Sequence, residues 1–290
     1  MKLSKALVIG VLALFLCTAG NCSRARVESM NKMNEGVVAA QQKRFEDAVK
    51  LLDSATAIDP QNEQAFWNMA IVHMEMRKYE RARDDLQKMI AVAPDSASAQ
   101  EKLGTVLIEL KDWTNAKTAL SKAVELEPAL FKAYYKLAQV DEQLDDPQSA
   151  LKNYTLSCEK GPRFLEAYAA LGRLYADLNY LDQSVQVLTE ATKVALAGTE
   201  EEAQVHHLLG TVYQQQKKYD DAVREFRAAL EVVPGMRDAL FSLGWTYHLQ
   251  GNREEAKRYL KKFVDVAGAE APAHYVKAAR DKLAEMTEGF

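Results

Sequence analysis

The hydrophobic positions of this chain recur with a period of 34 residues. Blocks begin at Ser29, Glu63, Ala97, Phe131 and Leu165, and after four extra residues, Thr199 to Glu202, at Ala203 and Arg237. Column 8 of the blocks reads Gly36, Ala70, Gly104, Ala138, Gly172, Gly210, Gly244, and column 20 reads Ala48, Ala82, Ala116, Ala150, Ser184, Ala222, Ala256. Column 24 is large: Leu52, Leu86, Leu120, Tyr154, Leu188 and Phe226, with Tyr259 the candidate in the last block. Columns 4, 7 and 11 form one apolar stripe at helical spacing, and columns 20, 24 and 27 a second. Each block therefore predicts two antiparallel helices whose backbones approach closely where the residues are small. Pro at column 32 (Pro60, Pro94, Pro128, Pro162, Pro234) stops the second helix. A repeating hairpin that buries its faces only on its neighbours stacks into a solenoid. After the last block, residues 271–290 carry Tyr275, Ala279, Leu283 and Met286 on one helical face, as a capping helix would.

The period of 34, with small residues at columns 8 and 20, a large one at 24 and Pro at 32, resembles the tetratricopeptide repeat. The resemblance covers seven repeats: 29–62, 63–96, 97–130, 131–164, 165–198, 203–236 and 237–270. It implies an all-α, right-handed superhelical solenoid that binds another protein and catalyses nothing. The departures are Asp141 in column 11, which the family fills with a large apolar residue, Pro147 in column 17, and Leu196 in place of the closing Pro.

In that family, columns 2, 5, 6, 9, 12 and 13 face a concave groove. By resemblance the partner groove here comprises Trp67, Asn68, Ile71, Met74, Glu101, Tyr135, Lys136, Gln139, Arg173, His207, Thr211, Gln214, Phe241, Trp245 and His248. Exposed Trp and Tyr are favoured binding anchors. Phe241 and Trp245 also adjoin the expected cap, so they serve equally as packing. Some relatives clamp a peptide's terminal carboxylate with Lys at column 5 and Asn at column 9. Neither residue type occupies those columns, so that clamp is not expected.

Composition then narrows the function. A net charge of −4 with no dense basic run argues against nucleic acid. No phosphate loop, metalloprotease helix or nucleophile elbow is present, so no catalytic residue, cofactor, metal ligand or small-molecule substrate is expected. His206 and His207 are adjacent and diverge on a helix. His73 in column 11 reads as packing.

The first 21 residues have a basic start at Lys2 and Lys5, an apolar run from Ala6 to Leu16, and small residues after it, the layout of a signal peptide. Ala19-Gly20-Asn21-Cys22 resembles a bacterial lipoprotein box, which implies acylation of Cys22, a tether over 22–28, and an outer-membrane lipoprotein facing the periplasm. Asn21 is atypical for the box, and ordinary cleavage giving a soluble periplasmic module is the alternative. The envelope lipoproteins that the chain resembles serve pili, gliding motility, secretion or outer-membrane biogenesis. Self-association through the end repeats is left open. With Cys22 acylated, Cys158 is the remaining thiol of the mature chain.

Overall fold

A computed structural model describes residues 24–268 and 272–288. The leader, Cys22 and its flanking residues lie outside the described residues.

Fifteen helices and no strands are found among the described residues. They run α1 (Arg24–Gln41), α2 (Phe45–Ile58), α3 (Glu63–Glu75), α4 (Tyr79–Val92), α5 (Ala97–Glu109), α6 (Trp113–Leu126), α7 (Phe131–Gln143) and α8 (Pro147–Lys160). There follow α9 (Leu165–Asp177), α10 (Leu181–Val194), α11 (Glu200–Gln215), α12 (Tyr219–Val232), α13 (Arg237–Leu249), α14 (Arg253–Val266) and α15 (Ala273–Glu288). The contacts divide the chain into two compact units, one ending at Ala150 and the other starting at Leu151, inside α8.

The column pattern has a direct packing cause. A Cβ placed on Gly104 would lie 2.5 Å from Leu120 Cγ, and one on Gly210 would lie 2.7 Å from the Phe226 ring. The small column 8 is thus where the second helix presses its column-24 side chain onto the first. In the last block that side chain is Leu260, fully buried against Gly244, and not Tyr259, which is only partly buried. Each turn from first to second helix puts one residue at positive φ: Lys43, Arg77, Lys111, Asp145, Asn179, Lys217 and Gly251. At the first turn, Arg44 N donates to Ala39 O and Lys43 N to Ala40 O, the paired bonds that close a helix C-terminus through a left-handed residue. The same column-15 position recurs in every hairpin. The left-handed backbone there favours glycine, yet four of the seven residues are Lys or Arg.

In the N-terminal unit, Met33, Val37, Leu52, Phe66, Met69 and Ile71 join one core cluster, and Leu86, Leu103, Leu107, Leu120 and Leu137 another. In the C-terminal unit, Phe226, Leu243 and Tyr247 pack with Met286 of α15, and Leu240, Leu260 and Phe263 pack with Ala279. The closing helix therefore covers the last hairpin with Ala279 and Met286 of the predicted stripe. Tyr275 of that stripe stays 40% exposed.

The structure defines three segments that the column pattern left open. Helix α1 starts at Arg24, so the segment read as a tether is helical from that residue onward. Glu200 to Glu202 open α11. Thr199 caps α11, its hydroxyl accepting from Glu202 N, and the three acids form the first turn, where the helix dipole favours negative charge. Pro147 is the first residue of α8, where its missing N–H costs nothing, and the Asp146 carboxylate accepts from Ser149 N.

The two histidines on core-facing columns are paired with acids, His73 in a buried pair and His206 in a half-buried one. His73 Nδ1 lies 2.6 Å from Asp85 Oδ2, both within the N-terminal unit, and His206 Nδ1 lies 2.7 Å from Glu225 Oε2. Asp141 is 0% exposed, with Lys117 Nζ 2.7 Å away; Lys117 also reaches Asp146 at 3.3 Å. A carboxylate can occupy an apolar column because the preceding hairpin delivers an ammonium to it.

Candidate binding surface

First helices of the C-terminal unit build a cavity of about 1070 Å³. Helix α11 contributes His207, Thr211 and Gln214, and α13 contributes Asp238, Phe241, Ser242 and Trp245. Phe263 of α14 and His274 and Tyr275 of α15 complete the wall. Five of the residues assigned to the groove from sequence, His207, Thr211, Gln214, Phe241 and Trp245, thus share one cavity. His248 lies beside it, its ring 5.5 Å from that of Trp245, and Arg173 is exposed on α9.

The wall has an apolar and a polar side. Phe241 stacks on Trp245 with centroids 5.8 Å apart, and lies 4.6 Å from Tyr275 and 5.2 Å from Phe263. Phe241 and Trp245 therefore both pack and line: their inner faces meet neighbouring rings and their outer faces reach the cavity. On the polar side, His207 Nε2 is 3.2 Å from Ser242 Oγ, and Gln214 Nε2 donates to Thr246 Oγ1 at 2.8 Å. These bonds cross from α11 to α13. The groove polar groups hold adjacent repeats together and set the cavity's floor. Burial pulls the His207 imidazole below its usual pKa, partly offset by the Asp238 carboxylate. The neighbouring His206 moves the other way, because its hydrogen bond to Glu225 favours the protonated ring. Adjacent histidines on one helix thus face opposite environments.

In the N-terminal unit the groove columns are occupied unevenly. Trp67, Met74, Tyr135 and Lys136 are partly buried and Gln139 is exposed. Glu101 and Lys136 form an ion pair at 2.7 Å, and Lys136 also donates to Thr105 Oγ1 at 2.8 Å. Asn68 and Ile71 are not on an open surface: they are 3% and 4% exposed. Column 9 is apolar in two successive repeats, Val37 and Ile71, and the two join the same core cluster, which removes them from solvent. Column 6 supplies a residue that sequence reading left out of the groove, Lys102, although the column itself had been assigned there. His274, Tyr275 and Asp238 were also left out, the first two because no repeat column extends into the capping helix.

Family profiles described as tetratricopeptide repeats match residues 39–106, 97–130, 165–197 and 201–268, more than half of the chain. No curated protein matches it closely enough to count as a relative. Among solved structures, the C-terminal part of a tetratricopeptide-repeat protein from Cytophaga hutchinsonii superposes with a TM-score of 0.70 at 13% identity, covering 87% of this chain and 99% of that one. PilF of Pseudomonas aeruginosa gives 0.58 at 18% identity over 75% and 97%. YrrB, a tetratricopeptide-repeat protein with an unusual peptide-binding site, gives 0.54 at 21% identity over 65% and 95%. These likenesses establish the fold. With the hairpin period, the column packing and the profile matches in agreement, the chain belongs to the tetratricopeptide-repeat family.

Proposed function

We propose that this protein is a non-enzymatic interaction scaffold, and that it serves as a lipid-anchored adaptor in a bacterial cell-envelope assembly. Tetratricopeptide repeats are in general protein-interaction modules. The observation that carries the reading is the aromatic cavity of the C-terminal unit, which offers Phe241, Trp245 and Tyr275 beside the amide of Gln214. An apolar wall with a few fixed polar groups suits an apolar side chain from a partner helix or extended segment. YrrB, which shares the fold, has a peptide-binding site, and a peptide is the kind of occupant that this cavity fits. The envelope placement rests on the leader and Cys22 in the sequence. No described helix is long and apolar enough to cross a membrane, and an acyl chain at Cys22 would supply the attachment, concentrating the repeats near a membrane-bound partner.

Two measurements test this. A photo-crosslinking amino acid in place of Thr211, inside the cavity, is expected to capture a discrete envelope protein in cells. Capture of nothing by the intact protein would remove the cavity as a docking site. Palmitate labelling is expected to require Cys22. Release of unlabelled protein by osmotic shock would instead establish a soluble periplasmic module, the reading that the atypical Asn21 favours.

A further inference from the structure

The aromatic cavity of the C-terminal unit has a polar edge whose hydrogen bonds are spent unevenly. The Thr246 hydroxyl donates to Ser242 O at 2.7 Å, so towards Gln214 it can only accept, and the Gln214 amide turns its nitrogen to it. The Gln214 side-chain oxygen then accepts from no described residue. The Thr211 hydroxyl likewise gives its proton to His207 O at 2.9 Å and keeps its lone pairs. Asp238 is exposed on the cavity wall and makes no ion pair among the described residues. The cations nearby are engaged. Arg237 is turned to the C-terminal end of α14, where it donates to Ala267 O at 3.2 Å. The Lys282 ammonium lies 6.0 Å from the Trp245 ring centroid and pairs with Glu285 at 2.6 Å. Burial holds the His207 imidazole below its usual pKa, so it adds no charge to the wall at neutral pH.

Three acceptors without a donor, Gln214 Oε1, the Thr211 hydroxyl and the Asp238 carboxylate, thus share a cavity with the rings of Phe241, Trp245 and Tyr275. On α13, Asp238, Phe241 and Trp245 follow one another at three and four residues, which sets carboxylate and rings in a ladder on one helical face. We propose that this cavity takes an arginine side chain of the partner, with its guanidinium against Asp238 and Gln214 and its stem over the Phe241–Trp245 pair. The proposal rests on the cavity being the docking site, and it adds the residue that the partner presents there. A guanidinium is planar, carries several N–H donors and no acceptor, and stacks on aromatic faces, so it meets both sides of the wall. A carboxylate or phosphate would meet acceptors and the like charge of Asp238. A wholly aliphatic side chain would cover the three acceptors and give them no donor, which costs stability.

The test uses the full chain and a short peptide of alanine and leucine with one central arginine, read by titration calorimetry at about 0.05 M salt, where charge pairing is weakly screened. A matching peptide carries citrulline, which keeps the shape of arginine and loses its charge. Saturable binding of the arginine peptide is expected, about tenfold weaker for the citrulline peptide and about tenfold weaker in Asp238→Asn, the loss of one charge-assisted bond in each case. The citrulline peptide should bind Asp238→Asn and the parent alike. Asp265→Asn makes the same charge change at an exposed site on α14 and should leave binding unchanged. No binding of the arginine peptide would overturn the proposal, as would equal binding of the two peptides. A loss in Asp265→Asn equal to that in Asp238→Asn would also overturn it, because the attraction would then belong to the acidic chain as a whole. A lysine peptide that binds as tightly as the arginine peptide would overturn the choice of a guanidinium. The citrulline comparison needs no variant, so it stays decisive if Asp238→Asn folds poorly. A Thr211 crosslink to a partner without arginine-peptide binding would keep the docking site and refute this chemistry, whereas arginine-peptide binding without a crosslink would do the reverse.

Discussion

The buried charge at Asp141 makes a sharp prediction, because its two single perturbations and their combination separate cleanly. Asp141 is fully buried on α7, and Lys117 of α6 approaches to 2.7 Å. The hydrogen bond to Asp141 raises the Lys117 pKa, so the lysine stays charged well above neutral pH. Lys117→Met would leave a buried carboxylate without its counter-charge. Breaking such a pair costs about 3 to 5 kcal/mol when both partners are enclosed. The lysine side chain here is 37% exposed, so water and the nearby surface relieve part of the loss, and about 3 kcal/mol is expected. Combining Lys117→Met with Asp141→Leu removes both charges and restores the apolar column that Leu107 fills in the preceding repeat. That double variant is expected within about 1 kcal/mol of the parent. Repeat arrays open locally, so a global melt would blur the effect. Hydrogen exchange followed by mass spectrometry on α6 and α7 peptides resolves it. Lys117→Met should accelerate their exchange about a hundredfold, the equivalent of roughly 3 kcal/mol, with the double variant close to the parent. A single variant that exchanges like the parent, or a double variant no better than the single, would refute the buried-pair reasoning.

Further outcomes follow from other sites. In an NMR titration His206 should titrate above pH 6.5 and His207 below it. Stability from the His206–Glu225 pair is then present below pH 6.5 and lost as pH rises through the folded pKa, so His206→Gln should destabilise more at pH 5.5 than at pH 8.5 by urea denaturation. His207 has the opposite sign: its contribution weakens stability as pH falls below 6.5. Burial raises the Cys158 thiol to about 12, so iodoacetamide at pH 8 should leave Cys158 unlabelled in the folded chain and modify it in urea, as read by peptide mapping. Lys111, at φ 59° in a hairpin turn, is strained where glycine is not. Lys111→Gly is expected to stabilise by about 0.5 to 1 kcal/mol, the relief of left-handed strain less the entropy that glycine adds to the unfolded chain, and unchanged urea resistance would contradict this.

Sequence alone determined the repeat, because a 34-residue hairpin stamps every block with the same local demands. Gly or Ala at column 8 is required wherever a column-24 side chain presses from the second helix, and Pro follows that helix in five of the seven blocks. Those are short-range constraints, repeated seven times, and repetition makes them legible. The groove was legible only by column. Helical spacing puts His207, Thr211, Phe241 and Trp245 on one face, but it does not say which neighbours cover that face. Packing between successive first helices decided that Asn68 and Ile71 would be buried. The capping helix, which belongs to no column, decided that Tyr275 and His274 would close the aromatic cavity. Charge pairing was equally invisible along the chain. Asp141 looked like a defect in its own repeat until α6 delivered Lys117 to it. One-dimensional periodicity fixes each helix's own faces, whereas the pairing of polar groups depends on side chains about 24 to 35 residues away, which only the stacked hairpins bring together.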